Sequence, residues 1–378
     1  MRMGQYAWEE VNLMKWKNVA PTPGSPAALG YRMPAEWESH YATWIAWPHN
    51  RSDWPGKFEP IEWVMAEIVR HLAHDERVNI LVNHEAGEER ARKFLTRAQV
   101  IAEGSDGSIQ FHHYPTNRIW TRDYGPIFVK AGKKLAAMDW RFNSWAKYND
   151  WRRDDAIPQQ ILTELNVENW QPTTEVNGKA KRVVLEGGSI DVNGAGAILT
   201  TEECLLSDVQ ARNPDLSRNE LEQVFADYLG CTKTLWLNKG IAGDDTHGHV
   251  DDLARFVDKH TIVVACENHR DDENHAPLLE NYKRLQHMTD QDGRPLKIAK
   301  LPMPDPVWFE GRRLPASYAN FYIANKRVLV PVFNSVNDLP ALTTIQQLFP
   351  SRRVVPIYCG DFIWGLGAIH CMTQQQPA

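Results

Sequence analysis

The sequence reads as an α/β protein whose modules repeat around a closed ring, and two observations predict this. Four β-hairpin segments begin at Gly125, Ser189, Leu253 and Ala319, spaced by 64, 64 and 66 residues. Each is followed by a helix-like stretch and a further apolar strand. A hairpin–helix–strand unit of about 65 residues cannot bury both of its faces alone, so neighbouring copies must pack against one another.

Each element has a local reason. The hairpins are GPIFVKAGKKLAAMDW (125–140), SIDVNGAGAILTT (189–201), LARFVDKHTIVVACE (253–267) and ANFYIANKRVLVPVF (319–333). Each sets two β-rich runs about a tight polar turn, with Asn193-Gly194 and Asn325-Lys326 as the clearest turn pairs. Helices are expected over 217–230 and 276–290, where Asp, Ser or Asn stands near the start and Gly230 closes the first. TLWL (234–237), KIAKL (297–301) and RVVPIY (353–358) supply the following strands. The first third of the chain must supply a fifth unit, from YATWIAW (41–47), a helix over 60–74 and VNILV (78–82). Residues 1–30, with APTPGSPAALG at 20–30, read as a loosely held arm and linker, leaving 31–378 as a single domain. Division into two domains is the alternative.

A chain of 378 residues with 43% hydrophobic and 24% charged residues can bury a substantial core. A net charge of −6 and the lack of a basic stripe argue against a nucleic-acid partner and favour, weakly, a small cationic substrate. The five cysteines (Cys204, Cys231, Cys266, Cys359, Cys371) form no CxxC pair, so neither a disulfide framework nor a cysteine zinc site is indicated. The opening MRMGQYAWEEVNLMKWKN lacks a signal-peptide core, and no apolar run is long enough for a membrane span. A cytoplasmic protein is the expectation.

Chemistry concentrates in the residues just before each hairpin, which a ring would gather around its axis. They are WTRDYGP (120–126), LEGGSID (185–191), GDDTHGHVDD (243–252) and LPASYAN (314–320), with GLGAIHC (365–371) at the same phase. Four of these five segments carry reactive side chains. Cys371, in a Gly-rich loop, is a candidate nucleophile; its alternative is a buried structural thiol. Asp123 and Asp251 are carboxylates able to grip a planar cation through paired hydrogen bonds, although Asp123 could instead accept turn amides. His249 lies two residues from Asp251, on the same face if the segment is a strand, and is the candidate general acid/base. Glu186 could orient that imidazole, or could cap a turn whose glycines take positive φ. Trp120 is placed to cover a cationic or aliphatic substrate. His247, His249, Asp251 and Asp252 offer metal-like spacing, but a metal would leave Cys371 without a role.

Taken together, MPAEWESHYATWIAWPHN (33–50), DWPGKF (53–58), WTRDYGP, LEGGSIDVNG, GHVDD, ASYANFYIAN and IHCMTQQQPA resemble the agmatine deiminase and bacterial-type peptidylarginine deiminase family. That family belongs to the guanidine-modifying pentein superfamily. The resemblance implies a five-bladed α/β propeller of pentein fold, with Cys371 as nucleophile and His249 as acid/base. It makes Asp123 and Asp251 the guanidinium clamps, Glu186 the partner of His249, and Trp120 a pocket residue. Asp245, with Asp244 beside it, is the candidate for the substrate's far ammonium, and Gly367 joins the substrate-binding set. The implied reaction is hydrolysis of agmatine to N-carbamoylputrescine and ammonia through a covalent thiouronium. Arginine, peptidyl-arginine or another guanidino compound, or amidino transfer, are the alternatives. No metal or organic cofactor is implied, and a homodimer is an expectation. Two departures stand out. The family usually reads GGGNIHC and HVDN, whereas Leu366, Ala368 and Asp252 stand in this chain.

Overall fold

The computed structural model describes residues 18–102 and 107–378, and five of its sheets repeat one pairing order. In each, an antiparallel pair is extended by a parallel strand that returns after a helix. The first runs Ile127–Ala131, Lys134–Met138, Glu168–Trp170. The second runs Asp191–Val192, Ala197–Thr201, Lys233–Leu237. The third is Ala254–Phe256, Thr261–Cys266, Lys297–Pro302, with Ala254 opposite Val264 and Val263 beside Ala299. The fourth is Tyr322–Ile323, Arg327–Val332, Arg353–Tyr358. The hairpins expected from the sequence are thus present, each with its crossover strand.

The fifth sheet shows how the chain's two ends meet. Its antiparallel pair is not a hairpin: Gln374–Pro377, from the C-terminus, pairs with His40–Ala46. Arg77–Leu81 and Ile109–His112 then add in parallel. The pairing puts Cys371 only three residues before a strand anchored in the first part of the chain. Two smaller hairpins stand apart, Thr173–Val176 with Lys179–Arg182 and Trp308–Phe309 with Arg312–Arg313.

Helices cover the sheets because one face of each is apolar. Phe58–Leu72 buries Ile61, Met65, Ile68, Val69 and Leu72. Arg218–Leu229 starts at a capping box, in which Ser217 and Glu220 satisfy each other's backbone N–H groups, and ends at Gly230 in the left-handed region. Its Leu221, Phe225 and Leu229 are fully buried, each contributing about 1.5–3 kcal/mol. The helices observed at 58–72 and 275–287 start one or two residues before the stretches expected from sequence and end two or three residues earlier.

Residues 1–17 of the expected arm lie outside the described residues. Residues 18–30 are docked rather than loosely held: Val19 donates to the Thr232 carbonyl, Ala27 to that of Asp227, and the Thr22 hydroxyl to the Asp227 carboxylate. All five cysteines are free thiols. No helix among the described residues is long and apolar enough to cross a membrane.

Candidate active site

The segments expected to converge do so. Three of them fold as single helical turns, Thr121–Tyr124, Gly187–Ser189 and Val250–Asp252, stacked side by side. His249 and Asp251 therefore lie on a turn and not on a strand. The reason is that Asp244 accepts the N–H groups of Thr246 and Gly248 at 2.8 and 2.7 Å, folding the chain back before His249. The glycines after Glu186 do not take positive φ. They are needed for close approach: a Cβ on Gly188 would lie 2.6 Å from His249 Nδ1, 2.7 Å from Asp123 Oδ1 and 3.2 Å from Asp251 Oδ2. Any side chain at 188 would collide with His249, Asp123 and Asp251.

The five residues singled out as reactive form one cluster. Asp123 accepts the Trp145 indole N–H at 2.8 Å and the Gly188 N–H at 3.2 Å. The His249 ring sits between Asp123, 3.7 Å from Nδ1, and Glu186, 3.8 Å from Nε2, and neither ring nitrogen completes a hydrogen bond. Glu186 in turn accepts from Arg212 Nε at 3.1 Å. Asp251 Oδ2 accepts His370 Nδ1 at 2.7 Å and lies 3.7 Å from Cys371 Sγ, while its Oδ1 has no partner. The Asn320 amide donates to the Cys371 sulfur at 3.1 Å and to Asp252 at 2.9 Å.

A cavity of about 300 Å³ opens onto this cluster. Cys371, Asp123, Trp120, Gly367 and Asp245 line it. Asp251, His249 and Glu186 are buried behind that wall. Gly367 is where Trp120 packs, since a Cβ there would meet the indole at 2.7 Å. The carboxylate of Asp245 is already engaged by Lys147 Nζ at 2.6 Å, the Tyr148 hydroxyl at 2.7 Å and Arg312 at 3.1 Å.

Charge explains the protonation states. Burial and the neighbouring Asp251, Asp252 and Asp123 carboxylates push the Cys371 thiol well above its ordinary value. Burial raises Asp123 to about 6, with the imidazole of His249 pulling the other way and Asp251 and Glu186 adding to the rise. Burial opposes charge on His249, but Asp123, Cys204 and Glu186 outweigh it and hold the imidazole well above its usual range. For Glu186, burial is overcome by Arg212 and His249, leaving the carboxyl at about 2. The carboxylates of Asp123 and Asp251 beside Cys371 favour a positively charged occupant.

The metal-like set read from sequence is not assembled: His247 turns away to the Ser207 hydroxyl, 3.1 Å from its Nε2. Among the described residues, donor atoms lie within 4.8 Å of one another in two other trios, Glu186–Cys204–His249 and Asp251–Asp252–Cys371. Both overlap the cluster above.

The model of the Porphyromonas-type peptidyl-arginine deiminase family matches residues 32–377. The chain belongs to this family. A relative from Latilactobacillus sakei is 35% identical over 382 residues, covering 94% of this chain and 98% of its own. The agmatine deiminase of Pseudomonas aeruginosa is 34% identical, covering 94% and 97%. The solved structure of the Enterococcus faecalis agmatine deiminase superposes with a TM-score of 0.84 at 31% identity, covering 95% of this chain and 99% of that one. These matches establish an α/β fold of the agmatine deiminase type.

Several residues around the deiminase-family cluster had gone unread. Asn320 stood at the right phase, in ASYAN, but an amide was not counted as reactive. His370 adjoins Cys371 yet binds Asp251 and, through Nε2, Glu36 at 2.8 Å. Glu36, Arg212 and Trp145 gave no periodic signal, because they reach the centre from outside the repeat phase. Of the departures from the family pattern, Asp252 is held well above the ordinary carboxyl value by burial, Asp251 and Asp244. Its surroundings thus favour the protonated form, and it accepts the Asn320 amide at 2.9 Å. Leu366 takes φ +68°, a conformation in which a glycine would be unstrained. Ala368 is buried.

Proposed function

We propose that this chain hydrolyses agmatine to N-carbamoylputrescine and ammonia through a covalent intermediate on Cys371. The observation that carries the reading is the cluster of Cys371, Asp123, Asp251, His249 and Glu186, of which Cys371 and Asp123 open onto one aromatic-walled cavity. The deiminase relatives support the reaction class. A planar guanidinium between Asp123 and Asp251 supplies the missing positive charge, each forked contact contributing about 1.5–3 kcal/mol. That cation also favours ionisation of the adjacent thiol.

The Cys371 thiol gives up its proton to solvent as sulfur bonds to the guanidinium carbon, giving a neutral tetrahedral adduct. His249, charged in the empty site, protonates one terminal nitrogen; that C–N bond breaks and ammonia leaves a thiouronium. Water then attacks the same carbon while neutral His249 takes its proton. The C–S bond breaks as the adduct's hydroxyl proton passes to the departing sulfur, returning the Cys371 thiol and a neutral ureido product. Glu186 and Asp123 stabilise the imidazolium, and Trp120 covers the substrate's alkyl stem.

The same reading takes the five sheets as blades of a closed five-bladed α/β propeller, supported by their shared pairing order and by the union of the chain's ends. It takes 31–378 as one catalytic domain of a cytoplasmic, homodimeric enzyme whose product feeds putrescine formation. The test is a panel of agmatine, arginine and an arginine peptide, with ammonia and ureido product measured. Mass spectrometry of the trapped protein should show an adduct on Cys371, and Cys371→Ser should lose turnover while retaining substrate affinity. Undiminished turnover in Cys371→Ser would refute the assignment. Activity on the peptide alone would move the substrate, and capture of the amidino group by a labelled amine would move the reaction class.

A further inference from the structure

The turn that carries Trp145 is held in a conformation its own residues disfavour. Ser144, Trp145 and Ala146 all stand in the left-handed region, at φ +55°, +58° and +53°, with no glycine among them. L-residues rarely adopt that conformation singly, and three in succession persist only where their surroundings impose it.

The surroundings act from both ends of the turn. Asn143 accepts the Ala146 N–H at 2.9 Å, and Arg118 Nη1 donates to the Ser144 hydroxyl at 3.4 Å. The Gln210 amide donates to the carbonyls of Trp145 and Asp245 at 3.2 and 3.1 Å. Just beyond the turn, Lys147 and Tyr148 both bind the Asp245 carboxylate, so Asp245 anchors the turn's exit. The indole packs edge-on against Phe142 and Tyr148. Its N–H meets Asp123 Oδ2 at 2.8 Å, while the Gly188 N–H takes Oδ1 at 3.2 Å. One donor on each oxygen fixes the plane of the Asp123 carboxylate where it faces the cavity.

We propose that Trp145 is a positioning residue: the left-handed turn delivers its indole N–H to Asp123 and holds that carboxylate in the orientation that grips a guanidinium. The inference rests on the guanidine-hydrolase reading of the same site and adds a donor which that reading does not use.

Protonation supplies a signature that packing alone would not. Burial raises Asp123 to about 6, with Asp251 and Glu186 adding to the rise and His249 and the Trp145 N–H opposing it. The titratable groups facing Asp123 are His249, Asp251, Glu186, Cys371 and Tyr124, with Arg118 beyond the Trp145 ring. Loss of the indole N–H removes one influence that favours the charged carboxylate, so Asp123 titrates higher. A protonated Asp123 has lost the paired acceptors a guanidinium needs, so the acid limb of kcat/KM moves to higher pH.

Trp145→Phe keeps an aromatic ring and loses the donor. Its acid limb with agmatine should move up by about one pH unit, making the loss of kcat/KM relative to the parent about fivefold greater at pH 6 than at pH 8. Ala146→Pro tests the turn from an exposed residue outside the cavity wall. Proline fixes φ at about −65° and has no N–H for Asn143, so the left-handed turn is lost and the same pH-dependent deficit should appear. Ala146→Gly, which the left-handed region accommodates, should retain the parent's pH profile. A deficit of equal size at both pH values in Trp145→Phe would overturn the role of Trp145. So would a parent-like profile in Ala146→Pro, or the same deficit in both variants at 146. The variants at 146 decide the matter even if Trp145→Phe fails to fold. Release of no ammonia from agmatine by the unmodified enzyme would instead remove the functional reading beneath the inference.

Discussion

Two histidines lie within the same buried cluster, each between two carboxylates, and their geometry differs. The His370 ring nitrogens are 2.7 Å from Asp251 and 2.8 Å from Glu36, both at hydrogen-bonding distance. Those of His249 are 3.7 Å from Asp123 and 3.8 Å from Glu186, and neither completes a bond. A ring held at both nitrogens is a bolt: moving its proton breaks a short charge-assisted contact. A ring among carboxylates but bonded to none can give and take a proton without dismantling its surroundings. On the proposed mechanism, spacing more than identity separates a positioning histidine, His370, from the acid/base, His249.

The largest effect that tests this contrast is at His249. Replacing it with Asn should lower kcat about 10²- to 10⁴-fold while leaving the melting temperature near that of the parent. His370→Asn should do the reverse. It takes from Asp251 its hydrogen-bonded histidine, while Glu36 keeps Arg122, Arg255 and the Ile323 N–H; this costs about 3–5 kcal/mol of stability and lowers kcat at least tenfold less than the His249 change. Turnover and thermal melts on both variants decide it. Should folded His370→Asn lose more turnover than His249→Asn, the two roles are exchanged.

Glu186 sharpens the comparison through pH. Its carboxyl lies at about 2, below the usual 4.5, so it stabilises the fold fully above about pH 4.5. That contribution is lost as pH falls toward 2, and it amounts to a few kcal/mol. Glu186→Gln should flatten this part of the stability curve in chemical denaturation between pH 3 and 7. It should also lower stability at pH 7, because Arg212 is left buried without its partner. Asp123 has the opposite sign: raised from 3.8 to about 6, it costs stability progressively as pH climbs from about 4 to 6, and a bound cation would offset that cost.

The sequence carried the repeat because hairpins and capped helices are local, and a spacing of 64–66 residues survives without sequence identity. It carried Cys371, His249, Asp123, Asp251 and Glu186 because each sits at one phase of that repeat. It did not carry the strand Gln374–Pro377, whose QQQP has little β propensity and forms only because His40–Ala46 offers an edge. Nor did it show that Asp245 is already engaged, because Lys147 and Arg312 reach it from distant parts of the chain.

The smallest effect is expected at Asp252, on the bolted side of the cluster. Asn320 joins Asp252, the Cys371 sulfur and the His370 backbone N–H, so Asp252 touches the scaffold that fixes the nucleophile. Burial and Asp251 hold its carboxyl well above the ordinary value, so the unfolded chain releases this proton near pH 4, before the folded chain does. Stability therefore drains with rising pH through this group, and Asp252→Asn removes that loss. The variant should keep kcat/KM within about threefold at pH 7, and its melting temperature should gain on the parent's progressively from pH 5 to pH 8. A collapse of activity in Asp252→Asn would mean that a negative charge at 252 takes part in the chemistry. The bolted half of the site would then share the proton traffic here assigned to His249 alone.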